Sequence, residues 1–409
     1  MLVAQKGKVL SPLTYHQMDM QSYLPADGFT GTLIGRVWVP ASQTGSVAGP
    51  SPIILTEESV FDLSSIAPTC AELLNTGFSL AGHNLSELLC LGSYVEIMSN
   101  TLADQPDSET PYFLSPIDLQ SIKACGVTFM VSMLERVIEE RAGGDATKAE
   151  EVRQKIKDRI DADITSIVPG SPEAEELKAV LQSEGLWSQY LEVGIGPYAE
   201  VFTKSQPLSS VGIGAEIGIL PYSSWNNPEP ETVLIVTPEA KVVGATLGND
   251  VNLRDIEGRS ALLLDKAKDN NASCSVGPFI RLFDETYNLE DVRSAEVTLT
   301  IKGEDGFQLK EISPMSLISR DVLDLVSQTI SEHHQYPDGI ALFTGTLFAP
   351  TQDRGGEGQG FTHKTGDIVC ISSEKLGQLE NRVTFTNEAP PWEFGITALM
   401  KNLSQRGLL

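Results

Sequence analysis

Two β-branched runs separated by a four-residue turn constrain the fold of this chain more than any other segment. The runs ETVLIV and KVVGAT flank the sequence TPEA and predict a β-hairpin. If Val242 pairs with Thr237, Glu229 faces Asp250, and Glu231 lies on the same face as Glu229, two residues further along the strand. The hairpin therefore brings three carboxylates together at one end of a two-stranded ribbon.

Three crowded carboxylates repel one another unless a positive group holds them together. A hard divalent cation would do so, and ligation by oxygen alone selects Mg²⁺, Mn²⁺ or Ca²⁺ over Zn²⁺. The alternative interpretation is an acidic hairpin end that is exposed to water, because carboxylates are common at turns. A slip of the register by one residue would also prevent the three side chains from converging. The residues alone leave both interpretations open.

The charge of the chain excludes several classes of partner. With 29 Lys and Arg residues against 55 Asp and Glu residues, the net charge is −26, which repels nucleic acid and anionic membranes. No stretch approaches the roughly 18 apolar residues of a membrane helix, and the first residues contain no apolar block typical of a signal peptide. The 5 scattered cysteines include no CxxC pair and fit reduced thiols. We expect a cytoplasmic protein without nucleic-acid or membrane partners.

Hydrophobic periodicity predicts how the chain is organised. Short strands punctuated by Pro and Gly predict a small N-terminal β-rich domain over residues 1–110. Apolar residues at spacings of three and four predict a helical insert over residues 132–185, whose charges are interpreted as a solvated helix face. Within this insert, Ser171 is the predicted N-cap of one helix. Strands and helices do not alternate regularly, so an α+β fold is favoured over a doubly wound parallel sheet for residues 115–409.

Seven segments of the chain resemble motifs of the fumarylacetoacetate hydrolase superfamily, and an ExE pair, an NDxxxRD and a TGT in this order are specific together. The segments are GVTFMVSMLERVIEERA, AEVFTK, NNPEPETVL, GNDVNLRDIEGRS, KAKDNNASCSVGPF, HQYPDGIALFTGTLFAP and FTHKTGDIVCISSEKLGQLEN. Nearly the whole chain resembles the bacterial 2-keto-3-deoxy-D-xylonate, or equally D-arabinonate, dehydratases of this superfamily. The resemblance implies a mixed-sheet β-roll catalytic domain, a smaller N-terminal domain, and assembly into a homodimer or homotetramer.

The resemblance also implies roles for individual residues. The family's metal ligands correspond to the three hairpin carboxylates, with Mg²⁺ as the expected cofactor and Mn²⁺ or Ca²⁺ as alternatives. Its active-site lysine corresponds to Lys268, and either Lys268 or Glu200 is expected to be the catalytic base. The positions implied to line the substrate pocket are Ser132, Lys204, Glu257, Thr344, Gly345 and Thr346.

Ser132 decides between subfamilies. It stands where hydrolases of the superfamily carry a His that activates water for C–C cleavage, and a Ser cannot act as that base near neutral pH. The resemblance thus implies a metal-dependent dehydratase that converts a 2-keto-3-deoxy sugar acid to 2,5-dioxopentanoate in non-phosphorylative pentose catabolism. The alternatives are a C–C hydrolase that acts on a 2,4-diketo acid, and a protein that binds metal and keto acid without turnover.

Overall fold

In the computed structural model, the described residues are 20–79, 82–143, 145, 148, 167–183, 185, 187–348, 352–354, 356 and 360–409, without the side chains of residues 131, 132, 134 and 139. Within these ranges the chain forms two β-sheets and a set of mostly short helices. Each sheet contains one parallel pair of strands among antiparallel pairs. The predicted α+β class with mixed sheets is therefore confirmed.

The strands are numbered in chain order. They are β1 (Leu33–Val39), β2 (Gly49–Leu55), β3 (Val60–Asp62), β4 (Cys90–Gly92), β5 (Tyr112–Phe113), β6 (Ser121–Gly126), β7 (Glu200–Ser205), β8 (Glu216–Ile219), β9 (Pro230–Val236), β10 (Val242–Asp250), β11 (Cys274–Leu282), β12 (Glu296–Lys302), β13 (Gln308–Pro314), β14 (Ile340–Phe343), β15 (Ile368–Ser373) and β16 (Gly377–Phe385). The larger sheet has the order β4-β3-β2-β1-β11-β10-β9-β14-β6-β7, with β5 paired to β1. The smaller sheet has the order β13-β12-β15-β16-β8. Strands β1 to β4 thus extend the larger sheet, and the division of the chain into two domains stays a prediction.

Helices connect and flank the two sheets. They are α1 (Ala41–Thr44), α2 (Cys70–Asn75), α3 (Tyr94–Thr101), α4 (Met130–Ala142), α5 (Pro172–Ser183), α6 (Gln189–Ile195), α7 (Arg254–Glu257), α8 (Leu264–Lys268), α9 (Leu289–Arg293), α10 (Val322–Thr329) and α11 (Ile396–Gln405), and short 3₁₀ turns occur between them. No helix in the described ranges combines the length and the apolar character that crossing a bilayer requires.

Strand β9 lies at the centre of the core and is buried along its whole length. Successive side chains of a strand point to opposite faces of the sheet. Accordingly, Leu234 packs in the cluster that lies between the two sheets and includes Leu299 and Ile371. Val233 packs in a second cluster on the outer face, which includes Leu73 of α2. Burial on both faces explains the continuous apolar run of β9. The same packing holds the strand that carries Glu231 in place.

The hairpin of β9 and β10 contains a β-bulge. Val242 pairs with Val236, so the predicted pairing with Thr237 is wrong at this point. The bulge directly after Val242 adds one residue to β10 and shifts every later pair by one. The backbone N–H of Asp250 then donates to the carbonyl oxygen of Glu229 at 3.0 Å. The predicted alignment of these two acids is therefore confirmed.

Two of the helices predicted between residues 132 and 185 are present, α4 and α5. Helix α5 begins with Pro172, and the Ser171 Oγ accepts a hydrogen bond of 3.2 Å from the Ala174 N–H, which confirms the predicted N-cap. Residues 149–166, which include part of another predicted helix, lie outside the described residues. Apolar side chains of α4, among them Met133 and Val137, form a cluster with Trp225. This packing places α4 beside the carboxylate end of the hairpin.

Candidate active site

Three buried carboxylates converge at the end of the β9–β10 hairpin. Glu229 precedes β9, Glu231 lies within it, and Asp250 ends β10. The three residues are 1–4 % exposed. Each offers one carboxylate oxygen, and these three oxygens lie within 4.8 Å of one another. The predicted cluster is therefore present, and the alternative of an acidic hairpin end exposed to water is wrong.

Two buried lysines neutralise part of this negative charge. Lys268, at the end of α8, donates from Nζ to Glu229 Oε2 and to Asp250 Oδ2, the latter at 3.0 Å. Lys204 Nζ lies 2.9 Å from Asp250 Oδ1 and donates to the carbonyl oxygens of Val251 and Lys268. Asp250 thus has one lysine at each of its oxygens.

The electrostatic environment differs among the acids. Burial raises the pKa of Glu231 well above its usual range, and the neighbouring Asp250 and Glu229 act in the same direction. Burial would also raise the pKa of Asp250, but Lys204 and Lys268 outweigh it and lower that pKa. For Lys268, burial alone would lower the pKa, but Asp250 and Glu229 raise it above its ordinary value, so this lysine is protonated.

A pocket opens onto the carboxylates. Its lining includes six acids and three basic residues, namely Glu135, Glu200, Glu229, Glu231, Asp250, Glu257, Arg136, Arg254 and Lys268. Burial, followed by repulsion from Glu257, raises the pKa of Glu200 to about 7. A carboxylate with this pKa is suited to take up and release a proton near neutral pH.

Helix α4 supplies a cation that sequence reasoning missed. Arg136 donates from Nη2 to Glu229 Oε1 and from Nη1 to Glu257 Oε2, the latter at 2.6 Å. Glu135 also lines the pocket, so the interpretation of the α4 charges as a solvated face is wrong for these two residues. The sequence did contain a signal for this position. Arg136 lies one helical turn after the buried Met133, and residues at this spacing share one face of a helix.

Arg254, which lies inside the quoted NDxxxRD motif, is a second basic residue that was not predicted as part of the site. Its guanidinium carbon lies 4.2 Å from the centre of the Trp225 ring. Its Nη2 lies 3.7 Å from Glu135 Oε2. These contacts hold Arg254 at the edge of the pocket, next to the helix that carries Glu135.

The predicted TGT segment contacts the carboxylate cluster through Gly345. The Gly345 N–H donates to Glu231 Oε2 at 2.6 Å, and Gly345 and Thr346 both line the pocket. Thr344 does not line the pocket, because its hydroxyl donates to the carbonyl oxygen of Thr232 at 2.9 Å. Gly345 has φ +90°, and a Cβ there would come within 2.0 Å of Thr128 Oγ1, so this position requires glycine.

The other predicted pocket residues fall into three groups. Glu200 and Glu257 line the pocket as predicted. Lys204 is completely buried behind Asp250 and is absent from the pocket lining, so the structure does not bring it to a position where it can contact a ligand. Ser132 lies on α4, and its side chain is outside the described residues.

The donor set fits a hard divalent cation. All three candidate ligands are carboxylates, they are buried, and their oxygens are close enough to share one ion. In this arrangement Lys268 and Arg136 each contact one carboxylate oxygen of Glu229. Glu229, Glu231 and Asp250 can therefore bind a metal ion.

Residues 194–384 match the family model described as fumarylacetoacetate (FAA) hydrolase C-terminal. Over 195 residues the chain is 34 % identical to a probable 2-keto-3-deoxyxylonate dehydratase of Haloferax volcanii, a match that covers 48 % of this chain and 63 % of the relative. Over 180 residues it is 31 % identical to the 2-dehydro-3-deoxy-D-arabinonate dehydratase of Saccharolobus solfataricus, covering 44 % and 57 %. These matches span about three fifths of the curated relatives.

A solved structure of 2-keto-3-deoxy-D-arabinonate dehydratase complexed with magnesium and 2,5-dioxopentanoate is similar to this chain with a TM-score of 0.59. The identity is 21 %, and the superposition covers 86 % of this chain and 99 % of that structure. At this identity the likeness shows the fold. The predicted fumarylacetoacetate hydrolase type of fold is therefore confirmed.

Proposed function

We propose that this chain, with its fumarylacetoacetate hydrolase family domain, is a divalent-metal-dependent hydro-lyase that removes water from a 2-keto-3-deoxy sugar acid. The observation that carries this proposal is the buried cluster of Glu229, Glu231 and Asp250, which faces the same pocket as Lys268 and Glu200. The names of the relatives and of the similar structure support the substrate class, a 2-keto-3-deoxypentonate, and the ion, Mg²⁺.

The cation would be held by the three carboxylates and would stabilise the negative charge that develops on the 2-keto oxygen when a C3 proton is lost. The protein side chains then have to accept this proton and assist departure of the C4 hydroxyl. With its raised pKa, Glu200 is suited to accept the C3 proton. Lys268 is protonated, and its ammonium group can donate a hydrogen bond to the leaving hydroxyl. These assignments make Glu200 the base and Lys268 the group that stabilises the leaving hydroxyl.

The overall reaction balances without a redox partner. The C3–H and C4–O bonds break, and the hydroxyl leaves as water. A C5 proton is then lost and a proton returns to C3, which gives an enol at C4 and C5. Loss of the enol O–H proton and return of a proton to C4 make C5 an aldehyde. A five-carbon substrate would give 2,5-dioxopentanoate, and each proton transfer is one that a carboxylate or an amine can perform.

The deciding experiment supplies the purified protein with Mg²⁺ and a 2-keto-3-deoxypentonate in deuterated water. We expect 2,5-dioxopentanoate that carries deuterium at C3 or C4, detected by mass spectrometry and NMR. Glu231→Gln should be inactive, whereas Glu239→Gln, the same charge change at the exposed turn of the same hairpin, should retain activity. Pyruvate as the main product would contradict the dehydratase proposal and favour C–C cleavage. Unchanged substrate in the presence of bound metal would favour a binding protein.

A homodimer or homotetramer and a cytoplasmic location stay predictions. A small 2-keto acid is the partner that we propose for the pocket.

A further inference from the structure

Arg136 differs from the two lysines of the site in its exposure to solvent. Its side chain is 13 % exposed, against 0 % for Lys204 and 3 % for Lys268. Lys204 also donates to two backbone carbonyl oxygens, which fix it in place. Arg136 reaches the site from α4, on the pocket side of Glu229.

Three basic side chains, Arg136, Lys204 and Lys268, contact the carboxylates that could bind metal. A divalent cation held by these carboxylates would add two positive charges close to the guanidinium group of Arg136, which contacts Glu229. Because Arg136 is the most exposed of the three basic groups, it is the one that can leave at the smallest desolvation cost.

We propose that Arg136 is a displaceable counter-ion that leaves Glu229 when a divalent cation binds and then binds the carboxylate of the 2-keto acid. Its contact from Nη1 to Glu257, at 2.6 Å, involves a different nitrogen and keeps the guanidinium in the pocket after Nη2 is released. This inference rests on the proposed function, since it assigns the recognition of the acidic end of the substrate.

The composition of the pocket supports this role. Six carboxylates line it, so an anionic substrate is repelled unless positive charge, from a bound cation or from a basic side chain, faces it. Arg254 is stacked on Trp225, and Lys268 contacts two of the three carboxylates that could bind metal. A guanidinium can bind a carboxylate through two parallel hydrogen bonds. Arg136 lies in the pocket, where it can form such a bidentate pair with the substrate.

The test consists of two binding measurements by isothermal titration calorimetry. Mg²⁺ is titrated into metal-free protein, and pyruvate, the simplest 2-keto acid, into Mg²⁺-saturated protein. In Arg136→Gln, we expect Mg²⁺ to bind several-fold more tightly because its competitor is gone, and pyruvate to bind about 10- to 100-fold more weakly. Arg136→Lys keeps the positive charge but cannot form two parallel hydrogen bonds to a carboxylate. Its Mg²⁺ affinity should be close to that of the wild type, and its pyruvate affinity should be lower.

The matched control is Arg141→Gln, the same substitution on the exposed side of the same helix, which should leave both affinities unchanged. If Arg136 only anchors α4, its removal should weaken Mg²⁺ binding as well, and that result would overturn the proposal. Unchanged pyruvate affinity would overturn it too. Neither measurement requires turnover, so the two affinities can be read even if the wild-type protein fails to dehydrate the sugar acid.

Discussion

The carboxylate of Glu200 lies directly against the Cα of Gly126. The two residues are paired across β6 and β7, and a Cβ added to Gly126 would stand 2.0 Å from Glu200 Oε2. The absence of a side chain at residue 126 therefore creates the space that Glu200 occupies in the pocket.

Gly126→Ala should consequently reduce kcat without unfolding the protein. The atom that must move is the end of a flexible side chain, so the cost in stability should be below about 1 kcal/mol. Displacement of the base by about 1 Å should lower kcat by about a hundredfold. Steady-state kinetics and thermal melting check both effects. Gly82→Ala, at a glycine with no atom within 4 Å of an added Cβ, is the control. Wild-type kcat in Gly126→Ala would argue against Glu200 as the base.

Lys204 is expected to act on stability. Its ammonium group forms an ion pair with Asp250 Oδ1 and donates to two backbone carbonyl oxygens in a fully buried position. Lys204→Met should destabilise the metal-free protein by about 3–5 kcal/mol, because one partner of a buried ion pair is left without compensation. Mg²⁺ should restore part of this loss by neutralising Asp250. Urea unfolding measures both, and Lys241→Met at the exposed hairpin turn is the control.

Metal binding should stabilise the wild-type protein against unfolding and should have no such effect on Glu231→Gln. Free Mg²⁺ at 100 times its dissociation constant should add about 2.7 kcal/mol to the free energy of unfolding, since the unfolded chain lacks the site. The rise in Tm should disappear with a chelator. It should also be absent in Glu231→Gln, which removes one of three ligands. An equal rise in Glu231→Gln and in the wild type would place the ion elsewhere.

Lys268→Met should separate catalysis from metal binding. The substitution removes the ammonium group that contacts Glu229 and Asp250 and that is proposed to stabilise the leaving hydroxyl, so kcat should fall by about a hundredfold or more. Mg²⁺ should still bind, because the three carboxylates remain. Lys266→Met, two residues earlier and exposed, should behave like the wild type. Near wild-type kcat in Lys268→Met would exclude this lysine from the reaction.

The hairpin shows what the sequence could predict and why. The alternation of side chains and antiparallel pairing were sufficient to bring Glu229 and Asp250 together. The bulge could not be predicted, because its extra residue, Val243, is held by a contact from outside the hairpin. The Phe283 N–H donates to the Val243 carbonyl oxygen at 2.9 Å. The pairing at the turn was wrong by one residue, and the bulge compensated for this difference.

The place of Glu135 and Arg136 of α4 in the site could not be predicted from the sequence. The charge pattern of α4 is equally compatible with water and with a polar pocket, because hydrophobic spacing identifies the buried face and gives no information on what covers the other side. Glu135 and Arg136 were therefore assigned to solvent, and only the packing of α4 near Trp225 places them at the site. Lys204 is a related case, since the motif indicates its proximity to the site but not its position behind Asp250.

The last prediction concerns the pH dependence of the reaction. Burial and the charge of Glu257 raise the pKa of Glu200 to about 7, Glu229 adds to this effect, and Arg136 and Lys268 oppose it. A base works only when ionised, so kcat/KM should rise about tenfold per pH unit below this pKa and level off above it. A bound divalent cation adds positive charge, which places the midpoint at or below 7. Glu257→Gln removes a cause that raises the pKa, so its midpoint should shift to lower pH in a pH–rate profile. A midpoint that is unchanged in Glu257→Gln would show that another group controls the rise.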